Sequence, residues 1–307
     1  FMAAVMSADM DNTDKVVVFI EECRSLGLKV LPPDINSSIY EFAVSGEKAI
    51  RYGLGAVKGA GASALESILD ERAANGRFTD LFDFCRRIDT RKANRRLLEA
   101  LIRSGALDGL ARNRATLMAS LTLALRSAEQ YGRDSEAGQN DLFGGTIVGS
   151  DDSEDERLLD SPDWPEQERL AGEKETLGLY LTGHPITRFE PELGHMTTAR
   201  LVRLRPVDGQ TARVAGLVMG LRTLNSRRGR MAIATIDDRT ARLDAVIYSD
   251  VYHKYRELLV RDKLLIIEGD VSIDEYSGAP SIVANAIEDI ETARANRAKH
   301  VALRLDG

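Results

Sequence analysis

A helical first half followed by a five-stranded β-barrel is the fold class the sequence predicts, a multidomain chain of α and β parts. Three observations predict it. Apolar residues recur at helical spacing between Asn12 and Leu125, and glycines punctuate the repeats. From Tyr131 to about Pro162 the periodicity lapses into Gly, Ser, Asp and Glu, a composition too polar to build a core. From Thr211 onward, five runs alternate apolar and polar residues, with a single helical stretch after the third.

Taken in order, "NTDKVVVFIEECRSLG" sets Val16, Phe19, Ile20, Cys23 and Leu26 on one helical face, with Asn12 or Thr13 as cap and Gly27 as stop. "LKVLPPDINSS" reads as a short strand broken by two prolines, and "EFAVSGEKAIRYGL" as a small hairpin around Ser45 and Gly46. Next, "GLGAVKGAG" leads into a helix whose face is Ala64, Leu65, Ile68 and Leu69 and which ends near Gly76. The arrangement then repeats, with Leu97, Leu98, Leu101 and Ile102 on one helix, a break at Gly105, and Leu117, Leu121 and Leu125 on the following helix. Two helix-turn-helix units in tandem are expected. After the polar stretch, "SPDWPEQERLAGEKETLGLYLTGHPI" predicts a helix led by Ser161 or Asp163 and closed by Gly183-His184-Pro185. The last third has three strands, a helix within "DVYHKYRELL", then two strands, which is the order of a five-stranded oligonucleotide-binding (OB) barrel.

Composition narrows the function. With 307 residues, 43% hydrophobic and 29% charged, the chain has room for about two or three ordinary domains. No run approaches the ~18 apolar residues of a membrane span, and the start lacks a signal-peptide pattern, so a cytoplasmic protein with no membrane partner is expected. Two distant cysteines and four histidines give no metal-ligand spacing; Cys23 and Cys85 read as buried apolar residues. Because the chain begins at Phe1, it reads as a segment of something longer. Net charge is −7, yet Arg51 to Gln130 holds 14 Lys and Arg against nine Asp and Glu, while Tyr131 to Glu175 holds four against 14. A basic module is followed by an acidic tether.

Three segments could carry function. At Lys58-Gly59-Ala60-Gly61, a Gly-x-Gly turn opening a helix aims unpaired N–H groups outward, where the helix dipole favours an anion. Lys58 adds a charge and Ser63 a hydroxyl, and such contacts hold a DNA backbone without reading sequence. A plain tight turn would need the same glycines. In "GQNDLFGG", Leu142 and Phe143 form an apolar pair in a polar run, and Gln139 could set the register of a docking peptide. Burying each large side chain is worth roughly 1.5 to 3 kcal/mol before ordering costs, and folding back onto the helical module is the alternative. In the barrel, "LRTLNSRRGRMA" places Arg222, Arg227, Arg228 and Arg230 around the loop between the first two strands. Its tyrosines are only Tyr248, Tyr252, Tyr255 and Tyr276, so weak, salt-sensitive binding of single strands is expected rather than a stacking platform. A purely structural barrel is the alternative. The carboxylate pairs at Asp237-Asp238 and at Asp9 and Asp11 read as turn and cap residues, and His184 as a capping or packing residue. No catalytic residue, resident cofactor or metal site is assigned.

Read together, "FMAAVMSADMDNTDKVVVFIEECRSLGLKVLPPDINSS", "IRYGLGAVKGAG", "LFDFCRRID", "NRRLLEALIRSGALD" and "EKETLGLYLTGHPI" resemble the C-terminal half of bacterial DNA polymerase III α subunits, from Phe1 to about Ala293. That resemblance implies the end of a fingers region (1–48), a tandem helix-hairpin-helix module (49–130), an acidic flexible linker (131–162), a helical connector (163–208), an OB domain (209–292) and the start of a truncated C-terminal region (293–307). It also implies that Gln139, Leu142 and Phe143 dock on the β sliding clamp, in a Gln-x-x-Leu-Phe pattern. Lys58, Gly59, Gly61 and Ser63 would hold primer-template duplex, and the barrel would lie near the template single strand. The family's palm, with its magnesium-binding aspartates, would precede Phe1, so this segment alone is expected to be inactive. Binding to the τ subunit of the clamp loader is not expected from so short a C-terminal remnant. Two other readings remain open at this point: a non-enzymatic DNA-binding adaptor that recruits a partner through the linker peptide, and the error-prone relative of the same polymerase. A DNA ligase is disfavoured, since its four-cysteine zinc site and nucleotide-accepting lysine motif are absent.

Overall fold

The computed structural model describes residues 1–138, 157–206, 211–226, 229–274 and 278–297. The chain divides into two compact units, Phe1–Gly183 and His184–Gly307.

In the first unit, α1 (Met2–Ala8) precedes α2 (Thr13–Ser25), where Asn12 accepts the Lys15 N–H and Val16, Ile20 and Cys23 turn inward. Strands β1 (Lys29–Leu31), β2 (Ala43–Val44) and β3 (Ala49–Arg51) make a small sheet in the order β1-β3-β2. The expected hairpin is β2–β3, antiparallel; β1 joins β3 in parallel, a pairing that no local pattern announces. Four helices then build the main core: α3 (Ala62–Asn75), α4 (Leu81–Arg87), α5 (Arg95–Arg103) and α6 (Arg114–Gly138). Leu65, Ile68, Phe84, Leu98, Leu101, Leu117 and Leu121 are wholly or almost wholly buried there.

Three element boundaries differ from the sequence expectation. First, α4 lies between the two expected hairpin units, capped by Asp80, whose carboxylate accepts the Phe82 and Asp83 N–H groups. Second, α6 runs on past Tyr131 to Gly138, into the stretch expected to be linker. Tyr131, Gly132 and Arg133 are exposed, so this last part shows no apolar stripe and its helicity has no periodic signature. Third, α7 (Glu166–Leu177) is led by Pro165, with no side-chain cap, and stops at Gly178 in the left-handed region (φ 79°). Ser161 instead donates its N–H to Thr116 Oγ1, and Asp163 accepts the Trp164 N–H, so neither caps α7. Gly183 and Pro185 lie beyond the helix they were expected to close.

One buried ion network ties α7 to the helical core. Arg114 donates two hydrogen bonds to Asp108, at 2.8 and 3.0 Å, and one to Glu173 at 3.1 Å. Glu173 also accepts the N–H groups of Leu181 and Thr182 and the Thr182 hydroxyl. With the Glu173 side chain 0% exposed and Arg114 its cationic partner, removing Arg114 would leave the carboxylate in the interior without its counter-ion.

The second unit begins with α8 (Glu190–Met196) and a short turn, Leu201–Arg203. The barrel follows as β4 (Thr211–Ser226), β5 (Gly229–Asp237), β6 (Arg242–Ile247), β7 (Leu264–Ile273) and β8 (Pro280–Asp289). Helix α9 (Ser249–Tyr255) links β6 to β7, and α10 (Ile290–Arg297) follows β8. The strands close in the order β4-β5-β6-β8-β7, antiparallel except where β6 meets β8. β4 is long enough to pair with β7 through its first half and β5 through its second, with a bulge between Val218 and Gly220. Ala232, Ala234, Ala245 and Ala284 face inward beside Val214, Val218, Ile236, Ile247 and Ile267, small residues among large ones as a narrow barrel requires. All five strands and the intervening helix lie where the alternation places them.

Candidate nucleic-acid interface

The corner that opens α3 is built by its backbone. Val57 accepts the Ala60 N–H at 3.1 Å, Lys58 donates its own N–H to Thr176 at 2.8 Å, and Gly59 turns the chain at φ 86°, where a Cβ would be strained. Gly61 occupies the cap position at φ −73°, ψ 138°, and no side chain caps the helix. Lys58, Gly59, Gly61, Ala62 and Ser63 are all exposed. A Cβ added at Gly59 or Gly61 would meet nothing within 4 Å. The four residues singled out from the sequence therefore share one open corner at the positive end of a 14-residue helix, where a phosphate can reach the backbone.

The second glycine corner is closed. Gly105 has φ 84°, but a Cβ there would overlap the Arg114 guanidinium, which fills the space. Asn94 caps α5 through the Leu97 N–H. Repetition of the helical pattern thus yields two hairpins and one open anion corner.

Many of the module's positive charges are structural. Arg87 bonds Glu71 at 3.0 Å and Asp83 at 3.1 Å with its guanidinium over the Phe78 ring, and Arg72 donates to the carbonyls of Ile35 and Ser38. Lys58, Arg91, Lys92 and Arg96 are exposed, and among the described residues no ion pair joins them. The last three flank the start of α5, where the helix dipole disfavours cations, and the sequence reading passed over them. The run "RKANRR" just ahead of a predicted helix was the available signal.

On the barrel, Arg222 extends from β4 with Nη2 3.4 Å from Asp244 Oδ2 and stays exposed. Arg230, at the start of β5, lies 3.4 Å from Thr223 Oγ1 and 5.9 Å from the Tyr252 ring centroid. Tyr252 and Tyr255 pack against the barrel core, while Tyr248 is 54% exposed. The described rings therefore offer one exposed platform at most. Arg227, Arg228 and Tyr276 lie outside the described residues, as do Gln139, Leu142, Phe143 and residues 298–307.

The carboxylates set aside from catalysis have structural partners. Asp238 accepts the Thr240 and Ala241 N–H groups and the Thr240 hydroxyl on one oxygen and the Leu201 N–H on the other. Burial raises the Asp237 carboxyl pKa, but hydrogen bonds from His184, Arg242 and the Arg239 N–H outweigh it and bring it down to about 2. His184 Nδ1 accepts the Ile186 N–H, and its Nε2 lies 3.4 Å from Asp237. Asp9 pairs with Lys15. Cys23 and Cys85 are buried, and burial pushes the Cys85 thiol up to about 12, which leaves it inert as a nucleophile. Among the described residues, no group of three or more His, Cys, Asp or Glu side chains is placed to hold a metal ion. No helix among them is long and apolar enough to cross a membrane.

An open glycine corner on a helical module, followed by a closed five-stranded barrel, defines a modular nucleic-acid-binding chain. The helix-hairpin-helix motif family matches residues 27–117, and the OB-fold nucleic acid binding domain family matches residues 212–290. Over its whole length the chain is homologous to a segment of bacterial DNA polymerase III subunit alpha. It is 45% identical over 307 residues to that subunit of Vibrio cholerae, covering 99% of this chain and 26% of the relative. The Escherichia coli K12 subunit is 45% identical over 308 residues and covers the same shares, and the Pseudomonas aeruginosa subunit is 42% identical over 322 residues, 27% of its length. The chain thus spans about a quarter of the relatives it matches.

Proposed function

We propose that this chain is the DNA-gripping and clamp-tethering segment of a replicative DNA polymerase III α subunit, working in the cytoplasm, whose remaining parts perform template-directed synthesis. The exposed, uncapped corner at Lys58–Ser63 carries the reading, because it offers backbone N–H groups and a cation to a phosphate with no protein atom in the way. Lys58, Gly59, Gly61 and Ser63 hold the duplex backbone without regard to sequence. Arg222 and Arg230, with Arg227 and Arg228, hold single-stranded template through its phosphates, since the barrel supplies few rings for stacking. Gln139, Leu142 and Phe143 dock on the β sliding clamp, the two apolar side chains entering a hydrophobic pocket and the glutamine bonding at its rim.

One experiment tests both halves. The 307-residue chain is titrated separately with primed duplex and with purified clamp. Lys58→Ala is expected to reduce the slope of log K against log salt for duplex by about one unit and to leave clamp affinity alone. Leu142→Ala with Phe143→Ala should abolish clamp binding and leave the duplex slope unchanged. An unaltered slope removes Lys58 from the interface; unaltered clamp affinity removes the peptide.

A further inference from the structure

The barrel carries a second cationic surface that the β4–β5 loop does not include. A cleft of about 590 Å³ opens between the Leu201–Arg203 turn and the turn joining β5 to β6, lined by Glu190, Arg200, Val202, Arg203, Arg239 and Thr240. Three guanidiniums face one carboxylate: Arg200 reaches Glu190 at 3.2 Å and Arg239 at 4.0 Å. Arg203 is exposed, and among the described residues no ion pair joins it. Of the nearby carboxylates, Asp237 is paired with Arg242, and Asp238 adds a second carboxylate beside the cleft, so the three guanidiniums outnumber Glu190 and Asp238 three to two. Both are buried, Asp237 against Arg242 and the Arg239 N–H, and Asp238 against the backbone of Leu201, Thr240 and Ala241.

The cleft is also held in shape. Leu201 donates its N–H to Asp238 and Val202 to the Thr240 hydroxyl, so the two turns are fastened to each other. Arg239 sits at φ 73°, one of two non-glycine residues described in the left-handed region. Glycine takes that conformation without strain, whereas arginine takes it at a cost and puts a guanidinium on the rim of the cleft. Strain of this kind, kept on a rigid turn beside an excess of positive charge, is concentrated at functional sites.

We propose that Arg200, Arg203 and Arg239 form a second site for the phosphodiester backbone of a single-stranded nucleic acid, at the end of β5 opposite Arg230. The proposal rests on the barrel's reading as a single-strand binder. β5 carries Arg230 near its start and Asp237 at its end, so Arg230 and the cleft are about 20 Å apart along the strand, with Arg222 between them opposite Ile233. A strand crossing the barrel within the ~4 to 16 nucleotide footprint of such domains touches both. An acidic peptide is the other polyanion that three arginines could take. It is disfavoured because, among the described residues, Val202 is the only apolar one lining the cleft, which leaves little to hold a peptide's anchoring side chain.

The test uses the 307-residue chain and a fluorescent oligothymidylate twenty nucleotides long (chosen at about the upper end of the footprint), titrated at several salt concentrations. Arg203→Ala combined with Arg239→Gly is compared with the parent and with Arg222→Ala combined with Arg230→Ala. The first pair is expected to weaken binding about tenfold or more and to reduce the salt slope by about 1.4, two contacts at ~0.7 each. Its thermal midpoint should not fall below the parent's, because the glycine relieves the turn. A parent that fails to bind oligothymidylate sinks the barrel reading and this site with it. A parent that binds, weakened by the Arg222 and Arg230 changes but not by the Arg203 and Arg239 changes, overturns this site alone. Loss of binding to labelled polyglutamate in the Arg203 and Arg239 variant, with oligothymidylate binding intact, assigns the cleft to an acidic protein and likewise overturns it.

Discussion

Gly59 and Gly61 stand two positions apart and differ in what the backbone asks of them. At Gly59 the backbone itself asks for glycine, since φ is 86° and an L side chain there costs roughly 1 kcal/mol. At Gly61 the backbone asks for nothing, because φ −73°, ψ 138° suits any residue and the space around it is open. On the proposed reading, the glycine at Gly61 leaves room for the phosphate that closes on the helix. Gly61→Ala should leave the thermal midpoint at the parental value while weakening duplex binding about tenfold, because a methyl group stands where the phosphate closes on the helix. Gly59→Ala should lower stability by about 1 kcal/mol, with a loss of binding to match. Circular-dichroism melts beside duplex titrations check both, and a Gly61→Ala variant that binds like the parent would empty the corner of its ligand. The same residue-scale distinction separates the cations. Arg114 and Lys58 count equally in a charge tally, yet one is enclosed by Asp108 and Glu173, while the other is exposed and, among the described residues, joined by no ion pair.

At the scale of elements, the β5–β6 turn is stabilised by a carboxylate kept ionised. The Asp237 pKa lies near 2 in the folded chain, below its ordinary value of 3.8. Stability from this group is therefore complete above about pH 4 and is lost as pH falls toward 2, worth about 2 kcal/mol for a shift of nearly two units. Asp237→Asn should lower the hydrogen-exchange protection of β5 and β6 by about that much at neutral pH and flatten its acid dependence between pH 4 and 2; a variant as acid-sensitive as the parent would move the effect elsewhere. Which elements were legible follows from how locally each is specified. The barrel strands and the faces of α2, α3 and α5 announce themselves because burial alternates at their own period. The run "LFDFCRR" hides α4, since Leu81, Phe82, Phe84 and Cys85 are all buried and a short, nearly uniform apolar stretch has no period to read. The ends of α7 were misplaced because Pro165 and Gly178 act more strongly on the backbone than the Ser, Asp and second Gly-Pro signals around them. The residues of the proposed contacts divide in the same way, by whether the sequence places them side by side. Lys58, Gly59, Gly61 and Ser63 are adjacent in sequence and were legible, whereas Arg200, Arg203 and Arg239 meet only after the barrel closes.

Across the whole molecule, net charge is −7 while the surfaces proposed for DNA are cationic, so binding has to be local and salt-sensitive rather than driven by the overall field. Each proposed grip taken alone is modest: one open helix corner, a barrel with one described exposed ring, and two apolar side chains at Leu142 and Phe143. Joining them in one chain changes the arithmetic. If the proposed tether holds a clamp that encircles the duplex, the DNA contacts become intramolecular, and retention would exceed either separate affinity by ~10² to 10⁴ without any new contact. Residence of the chain on primed DNA should therefore lengthen by a factor in that range when a closed clamp has been loaded, as measured by single-molecule dissociation. Leu142→Ala with Phe143→Ala should erase the gain and leave residence on clamp-free DNA at the parental value. Lys58→Ala should shorten residence on both substrates, because it weakens the grip that the clamp multiplies. Equal residence of the parent on loaded and clamp-free DNA would mean that the peptide and the DNA surfaces do not act on one substrate together, and the division of labour between grip and tether would fall even if each contact survived its own titration.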